Sequence, residues 1–415
     1  MDVSLLGAAR EVGRSGVLVS VDEMNLLFDY GVKLDTPPSF PLTPSKVDAL
    51  FLSHAHLDHC GMVPWAFRAL GCHIFSLNVS YQMGRLLQED FVKINKLKKM
   101  ETPYGEDEIK AQDRGFQGVN YGEEHHFGNV RFSFHDAGHI PGSASVLVTT
   151  KSGHSILYSG DVQTADSRLL KGCSLPHADT LILESTYGDR NHPDRSETVN
   201  RLMGSIKETL DGGGIAMMPA FAVGRTQELL LLLKDSGFPV YLEGMGQEVT
   251  RIILQYPELL KNAGELEAAA NGVSWIADPR GREEVLHEPC VILTTAGMLT
   301  GGPIMWYLER LGERRNHSIL LTGYQVAGTN GRMLLDEGCI IGDSGQRVPI
   351  RCKVESFDLS AHTDQDGLRS IVDKVNPSRV ILNHGDPEAV ETLSGLLPSG
   401  IEVLAPSLGE ILKLD

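Results

Sequence analysis

Short runs of β-branched and aliphatic residues, separated by glycine and acidic turn residues, dominate the first part of the chain. Such runs predict strands, here at Val3–Leu6, Gly16–Val21, Asn25–Phe28 and Asp48–Ser53. Apolar residues then recur at helical spacing between residues 78 and 100, which predicts a long helix. Strand patterns return at 130–135, 145–149, 155–158 and 180–183. This part of the chain is therefore predicted to be rich in strands.

After Ser185 the pattern changes to helices that alternate with buried strands. Helices are predicted at 197–210 and 225–234, and strands at 214–218, 240–242, 273–276, 290–294 and 318–322. This alternation is typical of a parallel α/β unit. Strands are again predicted at 349–357, 379–382 and 411–414, with helices around Leu368 and Glu388. The order favours an α/β domain inserted into a strand-rich α/β domain.

Composition narrows the functional classes. The chain has 415 residues, 41% of them hydrophobic, which suits two packed domains. A formal net charge of -17 argues against a diffuse electrostatic grip on nucleic acid or membranes. The six cysteines form no CxxC pair, and we find neither a signal-peptide pattern nor an apolar stretch of membrane-spanning length. The expectation is a soluble, cytoplasmic protein without a membrane partner.

The strongest chemical signal is a cluster of three histidines and one aspartate directly after the strand that ends at Ser53: His54, His56, Asp58 and His59. In an extended segment, residues two apart point to the same side, so His54 and His56 can share one metal ion. The chain then turns, and Asp58 and His59 can reach a second ion. Imidazole and carboxylate ligands suit Zn²⁺ or Mn²⁺. A solvated polar loop rarely brings four such side chains together.

Four further candidates lie at predicted strand ends or in loops: His139, Asp161, His362 and His384. Taken alone, each is more easily explained as a loop histidine or a turn aspartate. A two-metal site, however, needs about three protein ligands per ion and a bridging group, and the first cluster supplies only four ligands. Further ligands must come from elsewhere in the chain, and these positions are the natural source.

The ordered segments HAHLDH, GHIPGSA, YSGD, ESTYGDR, SAHTD and NHGD resemble those of metallo-β-lactamase-fold nucleases of the β-CASP branch. The segments GAAREVGRS, PAFAVGRTQE, TAGMLTGG and GYQVAGTNGR match the same branch. The similarity is greatest to archaeal and bacterial ribonucleases of the cleavage and polyadenylation specificity factor (CPSF) type without KH domains. The resemblance implies an αββα sandwich with an inserted α/β β-CASP domain. It implies domain bounds of 1–188 and 359–415 for the sandwich and 189–358 for the insertion.

The resemblance also implies a ligand set. One zinc ion would be held by His54, His56 and His139, and a second by Asp58, His59 and His384, with Asp161 as the bridge. A hydroxide activated by the two ions would hydrolyse single-stranded RNA, with Asp58 orienting it. His362 would act as a general acid, although a structural loop histidine is the plain alternative. Glu184 matches the acidic residue that begins the β-CASP region.

Several other residues keep two interpretations. Asp29 fits a carboxylate that orients a ligand histidine and equally a strand-end turn. The same two interpretations apply to Glu184, and the segment around it favours the role of orienting a ligand. Phosphate or RNA contacts are candidates at Ser143, Arg225, Gly297, Met298 and Ser360, where tight turns or ordinary salt bridges are the alternatives.

The expected function is a zinc-dependent ribonuclease, endonuclease or 5′-3′ exonuclease, in mRNA 3′-end processing or RNA decay. Rival interpretations are a small-molecule hydrolase or DNA nuclease of the same fold, and a non-catalytic scaffold subunit of an RNA-processing complex. His384 favours RNA, because the DNA-acting branch generally lacks histidine at that place. The resemblance and the apolar end of the chain suggest a homodimer, and an internal strand explains that end equally well.

Overall fold

A computed structural model of the protein describes residues 1–35, 37–326 and 328–414. The elements up to residue 184 are β1 (Asp2–Gly7), β2 (Gly16–Val21), β3 (Met24–Phe28), β4 (Ala49–Phe51), α1 (Leu57–Cys60), α2 (Val63–Leu70), β5 (His73–Leu77), α3 (Asn78–Leu97), α4 (Glu106–Ala111), β6 (Phe116–Val119), β7 (His125–Phe127), β8 (Val130–Asp136), β9 (Ala144–Thr149), β10 (Ser155–Tyr158) and β11 (Thr180–Glu184).

The middle and the end of the chain contain the remaining elements. Those of the middle part are α5 (Arg195–Asp211), β12 (Ala216–Pro219), α6 (Arg225–Leu233), β13 (Val240–Glu243), α7 (Gly246–Ile253), α8 (Ala263–Asn271), β14 (Ser274–Trp275), α9 (Pro279–Val285), β15 (Val291–Thr294), α10 (Pro303–Leu311), β16 (Ser318–Leu321), α11 (Asn330–Glu337), β17 (Cys339–Ile341), β18 (Arg347–Pro349) and β19 (Lys353–Ser356). Those of the end are α12 (Gln365–Val375), β20 (Arg379–Asn383), α13 (Pro387–Leu396), β21 (Glu402–Leu404) and β22 (Ile411–Lys413).

The chain forms two compact units. The first combines Met1–Asp166, Lys171–Asn191 and His362–Asp415, and the second combines Ser167–Leu170 and His192–Ala361. The first unit is thus assembled from distant parts of the sequence, because the second unit interrupts it between β11 and α12. No helix in the described part of the chain is both long enough and apolar enough to cross a membrane.

Two seven-stranded sheets build the first unit. Their orders are β22-β1-β2-β3-β4-β5-β6 and β21-β20-β11-β10-β9-β8-β7. Aromatic side chains from both sheets contact each other in the core: Phe28 lies 5.2 Å from Tyr158, and Phe51 lies 4.9 Å from Phe132, between ring centroids. The sheets therefore pack face to face around an aromatic layer.

Helices cover the outer face of each sheet. Leu27, Leu50 and Ile74 of the first sheet belong to one apolar cluster with α2, α3 and α4. Leu181 and Leu382 of the second sheet belong to another with α12 and α13. The predicted αββα sandwich is confirmed. The strands read as continuous apolar runs because both faces of each sheet are covered.

The second unit contains a parallel six-stranded sheet in the order β14-β13-β15-β12-β16-β19. Its apolar residues, among them Met217, Ile292 and Ile319, pack with α10 residues such as Ile304 and Leu308. The prediction of a parallel α/β unit here is confirmed. A separate antiparallel pair joins β17 and β18.

Two predicted elements differ from the structure. The strand expected over 349–357 is divided, since the backbone N–H groups of Arg351 and Cys352 both donate to the carbonyl of Gly312 instead of continuing a ladder. The helix expected to end at residue 100 ends at Leu97, and Lys99 adopts a left-handed φ of 55°. The apolar end of the chain forms β22, which pairs antiparallel with β1.

Candidate metal centre

The predicted ligands meet at one edge of the sandwich. His54 and His56 follow β4, His139 follows β8, Asp161 follows β10, and His384 follows β20. β8, β10 and β20 run in the same direction through one sheet, so their carboxyl ends lie at a common edge. The end of β4, in the other sheet, lies beside that edge, since His56 contacts His139. Asp58 and His59 lie in α1, a single helical turn that directly follows His56. The sequence cluster and the distant residues therefore converge through the topology of the two sheets.

Three imidazoles and one carboxylate make up the first group of this centre, defined as His54, His56, His139 and Asp161. One nitrogen or oxygen from each lies within 4.8 Å of all the others. Nδ1 of His56 is 3.2 Å from Nε2 of His54 and also 3.2 Å from Nε2 of His139. Ring nitrogens that lie this close to one another can coordinate one shared cation.

The second group is Asp58, His59 and His384, whose ligand atoms also lie within 4.8 Å of one another. Oδ2 of Asp58 is 3.3 Å from Nε2 of His384 and 3.8 Å from Nε2 of His59. This group mixes a carboxylate with two imidazoles, whereas the first group has only imidazoles apart from Asp161.

Asp161 faces both groups through different oxygens. Its Oδ2 is 3.5 Å from Nε2 of His54 and 3.6 Å from Nε2 of His139. Its Oδ1 is 3.3 Å from Nε2 of His59 and 3.6 Å from Nδ1 of His384. The carboxylate is therefore oriented as a bridge between two neighbouring positions.

These residues fit two divalent cations. Oδ1 of Asp161 is buried and receives no hydrogen bond within the described residues, although burial without a partner is costly for a carboxylate oxygen. His54, His59, His139, Asp161 and His384 are each at most 5% exposed. Neutral imidazole and carboxylate are ligands that zinc accepts. The donor set, the burial and the orphaned oxygen all agree with a pair of ions.

The electrostatics differ between the groups. Burial, together with the charge of His59, holds the pKa of His54 well below its usual value, and burial also lowers the pKa of His56. Burial opposes a charge on His59 too, but the carboxylates of Asp161, Asp58 and Asp29 outweigh it and hold its pKa well above the usual value. In the absence of ions, His59 therefore carries a proton among carboxylates.

His362 and Glu184 form a pair beside Asp161. Nδ1 of His362 lies 3.0 Å from Oε1 of Glu184, and its Nε2 lies 3.7 Å from Oδ2 of Asp161. Burial would lower the pKa of His362, but the carboxylates of Glu184 and Asp161 outweigh it and raise the pKa to about 9. Glu184 is fixed in turn, because the N–H of Val162 donates to it at 2.9 Å. A protonated imidazole is thus directed toward the centre.

Asp29, directly after β3, is fully buried and contacts one ligand histidine directly and another through Ser53. Nδ1 of His59 donates to its Oδ2 at 2.7 Å. The hydroxyl of Ser53 donates to the same oxygen at 2.7 Å and lies 2.9 Å from Nδ1 of His54. These bonds turn each ring so that its Nε2 faces Asp161, where it can bind an ion once it is unprotonated. Of the two interpretations of Asp29, the geometry supports the orienting one.

Three supporting residues were not recognised in the sequence. Tyr158 donates its phenolic hydroxyl to Asp29 at 2.8 Å, Ser53 links Asp29 to His54, and Thr186 lies 3.2 Å from Nδ1 of His384. Each lies within three residues of a recognised candidate, so proximity to the motif marks these residues, although it does not reveal which group each one contacts.

The five candidate phosphate contacts are divided between the two units. Ser143 is fully buried, and its hydroxyl oxygen accepts the N–H groups of His139 and Ile140, which shapes the His139 loop. The other four residues belong to the second unit: Arg225, Gly297, Met298 and Ser360. Arg225 begins α6 and is 8% exposed. A Cβ on Gly297 would lie 2.9 Å from the backbone nitrogen of Phe221, so close packing explains this glycine.

Three family models match successive parts of the chain. Residues 25–211 match a beta-lactamase superfamily domain, residues 226–334 match a Beta-Casp domain, and residues 347–406 match a Zn-dependent metallo-hydrolase RNA specificity domain. A curated relative from Methanocaldococcus jannaschii, "Probable RNase MJ4", is 37% identical over 100% of both chains.

The chain belongs to the β-CASP family of metallo-β-lactamase-fold proteins. "RNase aCSPSF2" of Saccharolobus solfataricus is 33% identical over 99% of this chain and 85% of its own length. "Transcription termination factor FttA" of Methanocaldococcus jannaschii is 34% identical over 92% and 67%, respectively. A crystal structure titled as a protein of unknown function from Enterococcus faecalis shares the fold, with a TM-score of 0.63, 14% identity and coverage of 100% and 99%.

These matches confirm the predicted β-CASP family and fold class. The predicted class of activity, a metal-dependent ribonuclease, agrees with the names of the relatives and with the family of the third matched domain.

Proposed function

We propose that this β-CASP protein is a zinc-dependent ribonuclease that hydrolyses phosphodiester bonds of single-stranded RNA with two ions per chain. The observation that carries the proposal is the orientation of Asp161, whose two oxygens each face a separate group of imidazoles. Such an arrangement suits a pair of ions better than a single one. RNA as the substrate is supported by the match of residues 347–406 and by the relatives named RNase.

Divalent ions bound at the two groups would lower the pKa of a water molecule toward about 7 and offset the charge of the phosphate. The chain itself supplies the remaining functions. Asp58 is 30% exposed at its side chain, unlike Asp161 at 2%, so it can reach a water and accept a hydrogen bond from it. Its acid group is ionised at neutral pH, because His59 and His384 outweigh burial and lower its pKa.

His362 fits the role of proton donor to the leaving 3′ oxygen. Glu184 keeps one ring nitrogen engaged, so the other nitrogen presents its proton toward the centre. A proton donor at this position contributes typically about 10²–10⁴-fold to such reactions. The products would carry a 5′-phosphate and a 3′-hydroxyl.

The experiment compares a circular single-stranded RNA with its linear 5′-phosphorylated form, with zinc supplied. Asp161→Asn removes the bridging charge while keeping the size of the side chain, and we expect cleavage to fall by about 10³-fold. Asp107→Asn, which changes an exposed carboxylate in the first turn of α4, serves as the control and should leave cleavage unchanged.

The substrates also separate the modes and the alternatives. An opened circle assigns an endonuclease, and digestion of the linear form alone assigns a 5′-3′ exonuclease. Cleavage of single-stranded DNA but not RNA would contradict the proposal and favour a DNA nuclease. Hydrolysis of neither polymer, with zinc or manganese, would favour a scaffold subunit in an RNA-processing complex.

Two further parts of the proposal concern assembly and location. We propose a homodimer, with the edge strand β22 as a candidate interface because Ile411 is 61% exposed there. The cytoplasm is the proposed location, supported by six cysteines that are all free thiols. Manganese is the alternative ion to zinc, because imidazole and carboxylate ligands accept both.

A further inference from the structure

The loop between β1 and β2, residues 8–15, contacts every member of the second group. The carbonyl of Ala8 accepts the backbone N–H of His384 at 2.8 Å, and the N–H of Gly13 lies 3.4 Å from Nε2 of the same residue. The N–H of Ser15 donates to the carbonyl of Asp58 at 2.7 Å, and its hydroxyl lies 3.4 Å from Nε2 of His59. A displacement of this loop would therefore move three candidate ligands of one ion.

This loop has an unfavourable backbone. Ala8, Arg10 and Arg14 have φ values of 53°, 55° and 42°, in the left-handed region that side chains disfavour. Its ends are also tightly closed, since a Cβ on Gly7 would lie 1.8 Å from the carbonyl oxygen of Arg14. Such conformations persist only where surrounding contacts fix them. Contacts with other residues must therefore stabilise this conformation of the loop.

Glu11 supplies that restraint. Its Oε1 accepts from Nε of Arg14 at 2.6 Å, and its Oε2 accepts from Nζ of Lys33 at 3.0 Å. Arg14 is anchored further by a bond of 3.0 Å to the carbonyl of Phe40. The side chains of Glu11, Arg14 and Lys33 are only 21%, 22% and 27% exposed, which makes this network more than a surface pair. Glu11 thus ties the loop to the segment that connects β3 to β4.

We infer that Glu11 is a positioning residue for the second metal ion. It touches none of the reacting atoms in this role, and it acts by fixing the loop that orients Asp58, His59 and His384. The inference rests on the two-ion centre of the proposed function. Substitutions in outer contacts of metal ligands typically lower metal affinity by about 10–100-fold. Loss of the Glu11 charge should therefore lower the affinity for the second ion and leave the affinity for the first ion unchanged.

The test titrates Zn²⁺ into the metal-free full-length chain and measures the ions bound and both affinities by calorimetry. We expect two ions in the wild type. Glu11→Gln should keep the first affinity and weaken the second by about 10–100-fold. The matched control is Glu391→Gln, whose carboxylate pairs with Arg10 of the same loop but is 68% exposed at its side chain. This control should bind both ions as the wild type does.

An unchanged second affinity in Glu11→Gln, or an equal loss at both ions, would overturn the inference while leaving the two-ion centre intact. Fewer than two ions in the wild type would overturn the centre and the inference together. Should Glu11→Gln fail to fold, Lys33→Met removes only one of the two cations from Glu11. That variant should show a smaller loss of affinity, again for the second ion only. Affinities equal to those of the wild type would contradict the inference.

Discussion

The two groups of the metal centre are built in different ways. In the first group, His54 and His56 are two positions apart, and the supports lie nearby: Ser53 for His54, and Ser143 for His139. In the second group, Asp58 and His384 are 326 positions apart, and the supports come from the loop of residues 8–15. Both groups contain ligands from distant segments, since His139 lies 83 positions from His56. The supports of the first group are nevertheless close in sequence to the ligands they hold, whereas those of the second exist only in the folded chain.

Charge follows the same division. In the first group, burial lowers the pKa of His54 and His56, so these two imidazoles are neutral and can bind an ion without losing a proton. The second group holds a proton on His59 among three carboxylates. An ion entering the second group must displace that proton, whereas an ion entering the first need not. We therefore expect the two sites to differ in affinity and in their response to changes of the protein.

The largest effect should come from removing one ligand of either group. His139→Ala and His384→Ala should each reduce the zinc content from two ions per chain to one, because three ligands are needed to retain an ion. RNA cleavage should fall by about 10²–10³-fold or more in both, since the reaction needs both ions. Zinc content by elemental analysis and cleavage of a labelled RNA measure the two effects.

His126→Ala is the control for both variants, because this histidine is 71% exposed at its side chain. It should retain two ions and full cleavage. If His384→Ala loses both ions while His139→Ala loses only one, the groups are not independent. The distinction drawn between them would then be wrong.

The difference between the two groups also explains which parts of the site could be predicted from the sequence. His54, His56, Asp58 and His59 are consecutive enough that strand and turn geometry alone suggests a metal site. His139, Asp161 and His384 gained weight because a two-metal site needs more ligands than the first cluster supplies, and then through the resemblance. Spacing alone gives no hint that the ends of β8, β10 and β20 meet. The alternation of helices and strands in the second unit was sufficient to predict its parallel sheet.

The supports of the second group could not be predicted in this way. Glu11 contacts the side chains of Arg14 and Lys33, and only the return of β3 beside β2 brings Lys33 near. The hydroxyl of Tyr158 reaches Asp29 across the core between the sheets, 129 positions away. Contacts of this kind depend on the packing of two sheets, which no periodicity in the sequence encodes.

An intermediate effect should follow from Asp29→Asn. Asp29 contacts His59 directly and His54 only through Ser53. The affinity for the second ion should therefore fall by about 10–100-fold, and the affinity for the first ion by less. Calorimetric titration of zinc measures both affinities. Tyr158→Phe, which removes one hydrogen bond to the same carboxylate, is the matched milder variant and should cost only about 1 kcal/mol in affinity. Equal weakening of the two ions in Asp29→Asn would contradict the unequal support.

For a change of one pH unit, the smallest predicted effect is a difference in the pH dependence of the two affinities. His59 has a raised pKa, so below that value the second ion must displace a proton, and its affinity should fall about tenfold for each unit of falling pH. His54 and His56 have lowered pKa values, so above about pH 6.5 the first ion displaces no proton from them and its affinity should stay constant.

Zinc titrations of the metal-free wild type at pH 6.5, 7.5 and 8.5 would check this difference, and the proton release can be read from the dependence of the binding heat on the buffer. We expect one binding step whose affinity does not change with pH and one whose affinity increases as the pH rises. Two steps with the same slope would mean that the proton is shared by both groups through Asp161, which contacts His54 and His59 alike. The two halves would then behave as one electrostatic unit despite their different construction.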